Sequence, residues 1–236
     1  MSFQAPITIQ KAISNIRSEV YLLPAIQREF IWQADQITKL FDSIMREYPI
    51  NSFLFWKIED ENKHRFQFYK FLQNYRQVYG THNPEASVEG LNGIQAVLDG
   101  QQRLTSLYIG LTGTYAYKQR RIWWADNEYV LPPRRLFLNI SRESDEQDMV
   151  YDFQLLIEKD TPLIDNSPFH KDKNGTYWFL VGRILNYSEQ EMLDEFLDGH
   201  DFGDHTLFYP TCIAPTLDCD SWKEAHQFFF RGKSGY

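Results

Sequence analysis

The sequence feature that most restricts the fold is a five-residue polar turn between a strand-like run and a helix-like run. The strand-like run is Ile94-Gln-Ala-Val-Leu98, and the turn is Asp99-Gly-Gln-Gln-Arg103. Apolar residues then recur at helical spacing up to Gly113. Because Gly100 lacks a side chain, the main-chain amides at the start of the helix are accessible to a ligand. The order strand, turn and helix therefore predicts a place where a phosphate group can bind.

The rest of the hydrophobic pattern predicts a mixture of helices and strands and no internal repeat. We expect a first helix with Thr8 as N-cap and Ile9, Ala12, Ile13 and Ile16 on its apolar face. We expect further helices at 35–48, with Asp35 as N-cap, and at about 64–78. We expect strands at 20–24, 51–58 (buried), 94–98, 135–140, 151–157 and 177–181, a surface loop at 81–93, and further helices at 188–197 and 221–230. This pattern indicates an α+β domain with additional C-terminal strands and helices.

Composition excludes several classes of protein. The 236 residues are 43% hydrophobic and 24% charged, which is typical of a globular chain and not of a disordered or fibrous one. The longest apolar stretches are far shorter than the roughly 20 residues of a membrane helix, so no membrane partner is expected. With two cysteines, Cys212 and Cys219, and no signal-like start, the sequence favours a cytoplasmic location.

Charge is distributed unevenly along the chain. The formal net charge is −8, but residues 1–135 hold 16 Lys or Arg against 13 Asp or Glu, and residues 136–236 hold 8 against 19. An anionic ligand is therefore more favourably placed on the first part of the chain.

The turn residues suit phosphate chemistry. Arg103 and the helix amides can bind phosphate, while Asp99 can hold a divalent cation such as Mg²⁺ or orient a water molecule. Gln101 and Gln102 can hydrogen-bond to sugar, base or phosphate. The alternative is a purely structural turn, in which Asp99 caps the helix and Arg103 is solvated, and the spacing alone leaves both interpretations open.

A second Gln-Arg pair, Gln27-Arg28, also follows a predicted strand. If the two strands are neighbours in one sheet, Gln27 and Arg28 converge with Gln102 and Arg103, and the two guanidinium groups can clamp a polyphosphate. In the structural alternative, Arg28 pairs with an acidic neighbour on the surface.

These two blocks carry a resemblance to a known family. Pro24-x-x-Gln27-Arg28-x-Phe30-x-Trp32, followed by Val97-Leu-Asp-Gly-Gln-Gln-Arg-Leu-Thr-Ser-Leu107, resembles the GmrSD-type restriction endonuclease N-terminal domain family, domain of unknown function 262. The C-terminal Phe228-Phe-Phe-Arg231-Gly-Lys-Ser234-Gly235 resembles part of a third family motif, with Lys233 in place of the usual Asn. Since the chain ends inside that motif, we expect a short variant or an N-terminal piece of a longer protein.

The resemblance implies a fold similar to ParB and sulfiredoxin and a nucleoside-triphosphate site. The site would comprise Asp99, Gln102 and Arg103 as catalytic residues, with Gln27, Arg28, Gly100, Gln101, Arg103 and, more weakly, Arg231 as nucleotide-binding residues. Mg²⁺ would bind at Asp99. The nucleotide-binding core would be residues 1–115, with a variable insertion at about 59–93, and residues 116–236 would extend the same domain.

Two classes of function follow from these residues. The first is a nucleoside-triphosphatase that regulates restriction of modified or phage DNA, and the alternative is a non-catalytic module that senses nucleotide or DNA and signals to a partner. Asp204-His205 imitates the start of an HNH nuclease motif, but the ligands that would complete it do not follow in the sequence. Cleavage is therefore assigned to a separate nuclease domain or partner protein, contact with DNA is expected to be weak or indirect, and homodimerisation is left open. A sulfiredoxin-like or direct nuclease activity is a weaker third interpretation, because the motif turn holds no cysteine.

Overall fold

Three α-helices and ten strands make up the part of the chain that the computed structural model describes, which is residues 5–26, 28–77, 83–164 and 167–186. The helices are α1 (Ile9–Arg17), α2 (Ala34–Met45) and α3 (Gln101–Thr112). The strands are β1 (Tyr21–Pro24), β2 (Leu54–Lys57), β3 (Phe68–Tyr69), β4 (Asn74–Arg76), β5 (Gln95–Asp99), β6 (Thr114–Ala116), β7 (Arg134–Asn139), β8 (Phe153–Ile157), β9 (Phe169–Lys171) and β10 (Tyr177–Leu180). Short 3₁₀ turns lie at Lys63–Arg65, Glu158–Asp160 and Val181–Asn186. The predicted α+β class is confirmed.

The first sheet has the strand order β2-β5-β1-β3 and is mixed. β5 runs parallel to β1, with Tyr21 opposite Gln95, while β2 and β3 are antiparallel to their neighbours. Because β1 and β5 are parallel, the segments that leave their carboxyl ends start from the same edge of the sheet. This topology brings the two Gln-Arg blocks to one side of the molecule.

The second sheet is wholly antiparallel and has the order β8-β7-β10-β9. A small parallel pair, β4 with β6, lies apart from both larger sheets. The three strands predicted at 135–140, 151–157 and 177–181 correspond to β7, β8 and β10, with ends that differ by no more than two residues.

Helix α3 occupies the centre of the fold. It contacts α1, α2, β6, β7 and the 3₁₀ turn at Val181–Asn186. Leu104, Leu107 and Ile109 are each 1% exposed, and one hydrophobic cluster joins them to apolar side chains of both large sheets. Ten of the twelve residues of α3 are buried, so α3 is the element around which the two sheets pack.

The predicted helix at 64–78 is wrong. These residues form the 3₁₀ turn at Lys63–Arg65, then β3 and then β4. Pairing of β3 with the edge of β1 and of β4 with β6 satisfies the main chain through distant partners, and such contacts override a helical spacing of aromatic residues.

Two further predictions need correction, and one is confirmed. The N-cap of helix α2 lies two residues earlier than predicted, because Gln33 and not Asp35 caps the helix and forms a reciprocal capping box with Gln36. The strand predicted at 51–58 is shorter, and Trp56 on it is 39% exposed instead of buried, because β2 is an edge strand. Thr8 caps α1 as expected, since its Oγ1 accepts a 3.1 Å hydrogen bond from the amide of Lys11.

Among the residues that the structure describes, no helix has both the length and the apolar character needed to cross a bilayer. The helices predicted at 188–197 and 221–230 lie outside the described residues, as do Gln27, His205, Cys212, Cys219, Arg231 and Ser234.

Candidate functional site

The polar turn between β5 and α3 forms a helix N-terminus without a side-chain cap. Gly100 is the N-cap of α3, with φ of +87°, and no side chain caps the helix. The first amides of a helix have no partner within it, and in α3 they start from a turn in which Gly100, Gln101 and Gln102 are buried. A Cβ at position 100 would lie 2.3 Å from Cδ1 of Phe53, so both the left-handed backbone and the lack of space require glycine.

Gln102 joins α3 to the segment that follows β1. Its Nε2 donates to the carbonyl of Glu29 at 2.9 Å, and its Oε1 accepts from the amide of Ile31 at 3.0 Å. The side chain is 7% exposed, so these contacts satisfy main-chain groups in a region with little water. Gln102 therefore fixes the position of the segment that carries Arg28.

Gln101 binds the same segment through the nitrogen of its side-chain amide. Its Nε2 donates to the carbonyl of Arg28, and the residue is 6% exposed. Its Oε1 is buried and has no hydrogen-bond partner among the described residues. A buried acceptor without a partner is costly, which makes this atom a plausible contact for a donor supplied by a ligand or a water molecule.

Arg103 is directed towards the segment that precedes β2. Its guanidinium donates to the carbonyls of Ile50 and Ser52, the latter at 3.0 Å, and its Cζ lies 4.7 Å from the ring centroid of Phe53. An ion pair of 3.5 Å connects it to Asp99. Burial lowers the pKa of Arg103, and the carboxylate of Asp99 acts in the opposite direction. Arg103 stays cationic at neutral pH because the pKa of arginine is so high.

Asp99 lies at the end of β5 with its side chain 70% exposed. Mg²⁺ commonly binds one or two carboxylates together with substrate phosphates. Asp99 fits one such ligand position. Within the described ranges no group of three His, Cys, Asp or Glu side chains is placed to hold a metal ion, so a cation here would need oxygen ligands from the nucleotide itself.

Arg28 is exposed on the other side of the turn. It lines a cleft of about 190 Å³ together with Tyr69 and Asn83, and Arg103 is not part of that lining. Ligand pockets usually measure roughly 300–1,000 Å³, so this cleft has room for only part of a nucleotide, such as its phosphates. The structure thus brings the two Gln-Arg blocks together through the glutamines, while the two guanidinium groups occupy opposite flanks of the turn.

No sequence motif assigns to this site three of the residues that the structure places there. Phe53 covers Gly100 and stacks with Arg103, whereas Tyr69 and Asn83 face Arg28 across the cleft. All three lie in segments far from the motifs along the chain, so only the folded structure shows their proximity.

Comparison with protein families settles the relationship of the chain. The model of the GmrSD restriction endonuclease N-terminal domain matches residues 9–204. The chain belongs to this family. The GmrSD match includes both Gln-Arg blocks and ends before Arg231, so the partial third motif lies outside it. Membership of the GmrSD family links the chain to restriction and phage-defence systems. No curated protein matches the chain.

Proposed function

We propose that the chain is a nucleoside-triphosphate-binding and hydrolysing regulatory domain of a restriction system, with the phosphates bound at the turn between β5 and α3. The observation that carries the proposal is the uncapped N-terminus of α3 at Gly100, next to the segment that presents Arg28. A helix N-terminus offers amide donors and a partial positive charge, which together suit phosphate oxygens.

The two arginines have different parts in this proposal. Arg28 is exposed and supplies a charged donor to the phosphates from the β1 side. Arg103 holds the 50–53 segment against the turn and adds positive charge beneath the phosphates. Gln101 and Gln102 position the main chain of the Arg28 segment, and Oε1 of Gln101 remains free to accept from a ligand.

Hydrolysis requires a water molecule in line with the terminal phosphate and neutralisation of the charge that develops there. A bound Mg²⁺ ion supplies that neutralisation. Asp99, exposed at the end of β5, is the carboxylate of the turn that is placed to hold the ion or to orient the water. The ion pair with Arg103 holds Asp99 near the helix N-terminus.

The finer features predicted from the resemblance belong to this proposal as well. A ParB-like arrangement is consistent with the parallel pair of β1 and β5 with a helix directly after β5. Action in the cytoplasm agrees with a content of two cysteines. DNA cleavage is assigned to a nuclease domain or a partner protein.

The test measures thermal unfolding and phosphate release with ATP, GTP, CTP and UTP, each with and without Mg²⁺. At a ligand concentration of 100 Kd, binding adds about 2.7 kcal/mol to stability and raises the Tm measurably. We expect Arg28→Ala to weaken nucleotide binding about 10- to 100-fold, because a charged hydrogen bond is worth about 1.5–3 kcal/mol. Arg142→Ala is the matched control, since it removes the same charge from an exposed side chain beside Asp145.

If Arg142→Ala weakens nucleotide binding as much as Arg28→Ala does, the loss of binding is caused by the change in net charge and not by the loss of a contact at the site. The absence of any nucleotide-induced shift in the wild type would overturn the proposal. Arg103→Ala is a less decisive variant, because it also removes hydrogen bonds to two main-chain carbonyls and is expected to lower stability without nucleotide.

A second candidate function is a non-catalytic sensor that binds nucleotide and signals to a partner. The observation in its favour is that Asp99 is exposed and that no cluster of three metal-binding side chains occurs in the described residues. Binding without phosphate release, also in the presence of DNA and Mg²⁺, would select this function.

A further inference from the structure

A basic groove lies at the other end of α3, away from the Gly100 turn. Two neighbouring clefts of about 500 and 310 Å³ share Arg17 in their linings. The first runs along α1 past Lys11, and the second is bounded by Arg135, Arg183 and the end of α3 at Gly110–Gly113. We call these two clefts the arginine groove.

The groove carries positive charge that the described residues do not neutralise. None of the described residues that line either cleft has an acidic side chain. Arg135 has a weak partner in Glu158, at 3.7 Å. Lys11, Arg17 and Arg183 are exposed, and their side chains make no ion pair with any residue that the structure describes. Four cations line this groove in a chain whose net charge is −8, so the groove favours the approach of an anionic partner.

The lining indicates what kind of anion fits. None of the described side chains that line the two clefts is aromatic. Proteins that hold single-stranded nucleic acid stack the bases on aromatic rings, whereas contacts with a duplex are made largely to the phosphate backbone by Lys, Arg and small polar side chains. Thr8, Gln10 and Ser14 supply such polar groups beside Lys11 and Arg17.

The spacing of the cations also suits a phosphate backbone. Lys11 and Arg17 are six residues apart on one helix, which corresponds to about 9 Å along its axis. Phosphates of one strand of a duplex recur every 3.4 Å along the axis, so this distance covers two to three of them. From these observations we infer that the arginine groove binds the backbone of double-stranded DNA without reading its sequence. The inference is independent of the nucleotide site, which lies at the opposite end of α3.

The experiment measures fluorescence anisotropy of a labelled 20-base-pair duplex with the full chain at several salt concentrations between 50 and 200 mM. If four cations each contact a phosphate, the slope of log K against log salt is about −3.6. Arg17→Gln/Arg183→Gln is expected to reduce that slope by about two and to weaken binding at least tenfold at 100 mM salt. Lys11→Gln alone should reduce the slope by about one.

The matched control is Arg120→Gln/Arg121→Gln, which removes the same charge beside the exposed rings of Trp123 and Trp124. It should leave duplex binding within twofold of wild type. If this control loses binding and the groove variant does not, the aromatic and basic loop is the DNA surface and the inference is overturned.

Two other outcomes would also overturn it. The first is tighter binding of a single strand of equal length than of the duplex, since this would require contacts with the bases. The second is no measurable duplex binding by the wild type at 50 mM salt. Because the mutated side chains are exposed and lack described partners, the Tm of each variant should stay within about 1 °C of wild type, and nucleotide binding serves as a separate check of the folded state.

Discussion

At the scale of single residues, the two glutamines of the turn have a role that their chemistry alone does not reveal. Both direct Nε2 to main-chain carbonyls of the segment after β1, and Gln102 also accepts from the amide of Ile31. Through these hydrogen bonds they hold that segment at a fixed distance from α3, which we call the spacer role. The orientation of Arg28 towards its cleft depends on this support.

Gln102→Ala should therefore lower both stability and nucleotide affinity. The substitution leaves the carbonyl of Glu29 and the amide of Ile31 without partners in a largely buried region, at a cost of about 1–3 kcal/mol. Urea unfolding followed by circular dichroism measures the stability change. The control is Gln10→Ala, at an exposed position on α1, which should change stability by less than about 0.5 kcal/mol. Equal stability of wild type and Gln102→Ala would contradict the spacer role.

The residue types at the turn were predictable from the sequence, but their contacts were not. A glycine between a strand and a helix indicates an exposed helix N-terminus by local rules alone. The main-chain partners of Gln102 and Arg103 lie 51 to 73 positions away along the chain. Side-chain direction at such a turn is decided by packing between distant segments, which no local pattern encodes. Whether these residues bind nucleotide stays a prediction.

At the scale of elements, the sequence was informative where apolar residues follow a clear pattern, such as the helical spacing of α1 or the apolar run of β10. Helix α1, with Thr8 at its N-cap, follows the predicted pattern, as do β7, β8 and β10. The helix predicted from 64 to 78 is wrong because Phe68 and Tyr69 belong to β3 and Tyr75 to β4, two short strands that pair with β1 and β6. Partner choice is a property of the whole sheet and is invisible in a window of fifteen residues.

The β9–β10 hairpin offers a test at this scale, because a single carboxylate organises its turn. Oδ1 of Asp172 accepts from the amides of Asn174 at 2.8 Å and Thr176 at 2.9 Å, and its Oδ2 accepts from Nε1 of Trp178 at 3.2 Å. Partial burial acts to raise the pKa of Asp172, but the hydrogen bonds, led by that from Thr176, outweigh it and lower the pKa.

A carboxyl whose pKa is lowered by folding stabilises the native state above its unfolded pKa of about 3.9, and the stabilisation is lost as the pH falls through the folded value. Wild type should therefore exceed Asp172→Asn in stability at pH 7, and the difference should shrink as the pH falls from about 5 to 3. Denaturant unfolding at a series of pH values measures this difference in the free energy of unfolding. Asp160→Asn, at an exposed carboxylate, is the control and should show no comparable trend. A stability difference that does not change with pH would show that the charge of the Asp172 carboxylate does not contribute to stability.

At the scale of the whole molecule, the two sheets are joined through close contacts with α3. A Cβ on Gly182 would lie 2.5 Å from the carbonyl oxygen of Leu111, and one on Gly110 would lie 2.6 Å from Cε2 of Phe41. These glycines allow the end of the second sheet and helix α2 to approach α3 more closely than any side chain would permit. A hydrophobicity pattern shows which residues are buried, but it cannot show how near two main chains come to each other.

Gly182→Ala should destabilise the molecule by about 1–3 kcal/mol, because the atom it would overlap belongs to the main chain of a buried helix and cannot easily move. Asn186→Ala, at an exposed position of the same 3₁₀ turn, is the control and should be nearly neutral. Thermal unfolding of both variants gives the comparison. A neutral effect of Gly182→Ala would mean that the 3₁₀ turn shifts freely on α3.

Helix α3 has twelve residues, which corresponds to a rod of about 18 Å, and it touches a proposed ligand site at each end. A nucleotide at Gly100 that shifted α3 along its axis would also move Gly110–Gly113, which line the arginine groove. If nucleotide changes the affinity for DNA by some factor, DNA must change the equilibrium affinity for nucleotide by the same factor. Because α3 lies between the two proposed sites, the chain would then respond in both directions: bound nucleotide would change DNA affinity, and bound DNA would change nucleotide affinity equally.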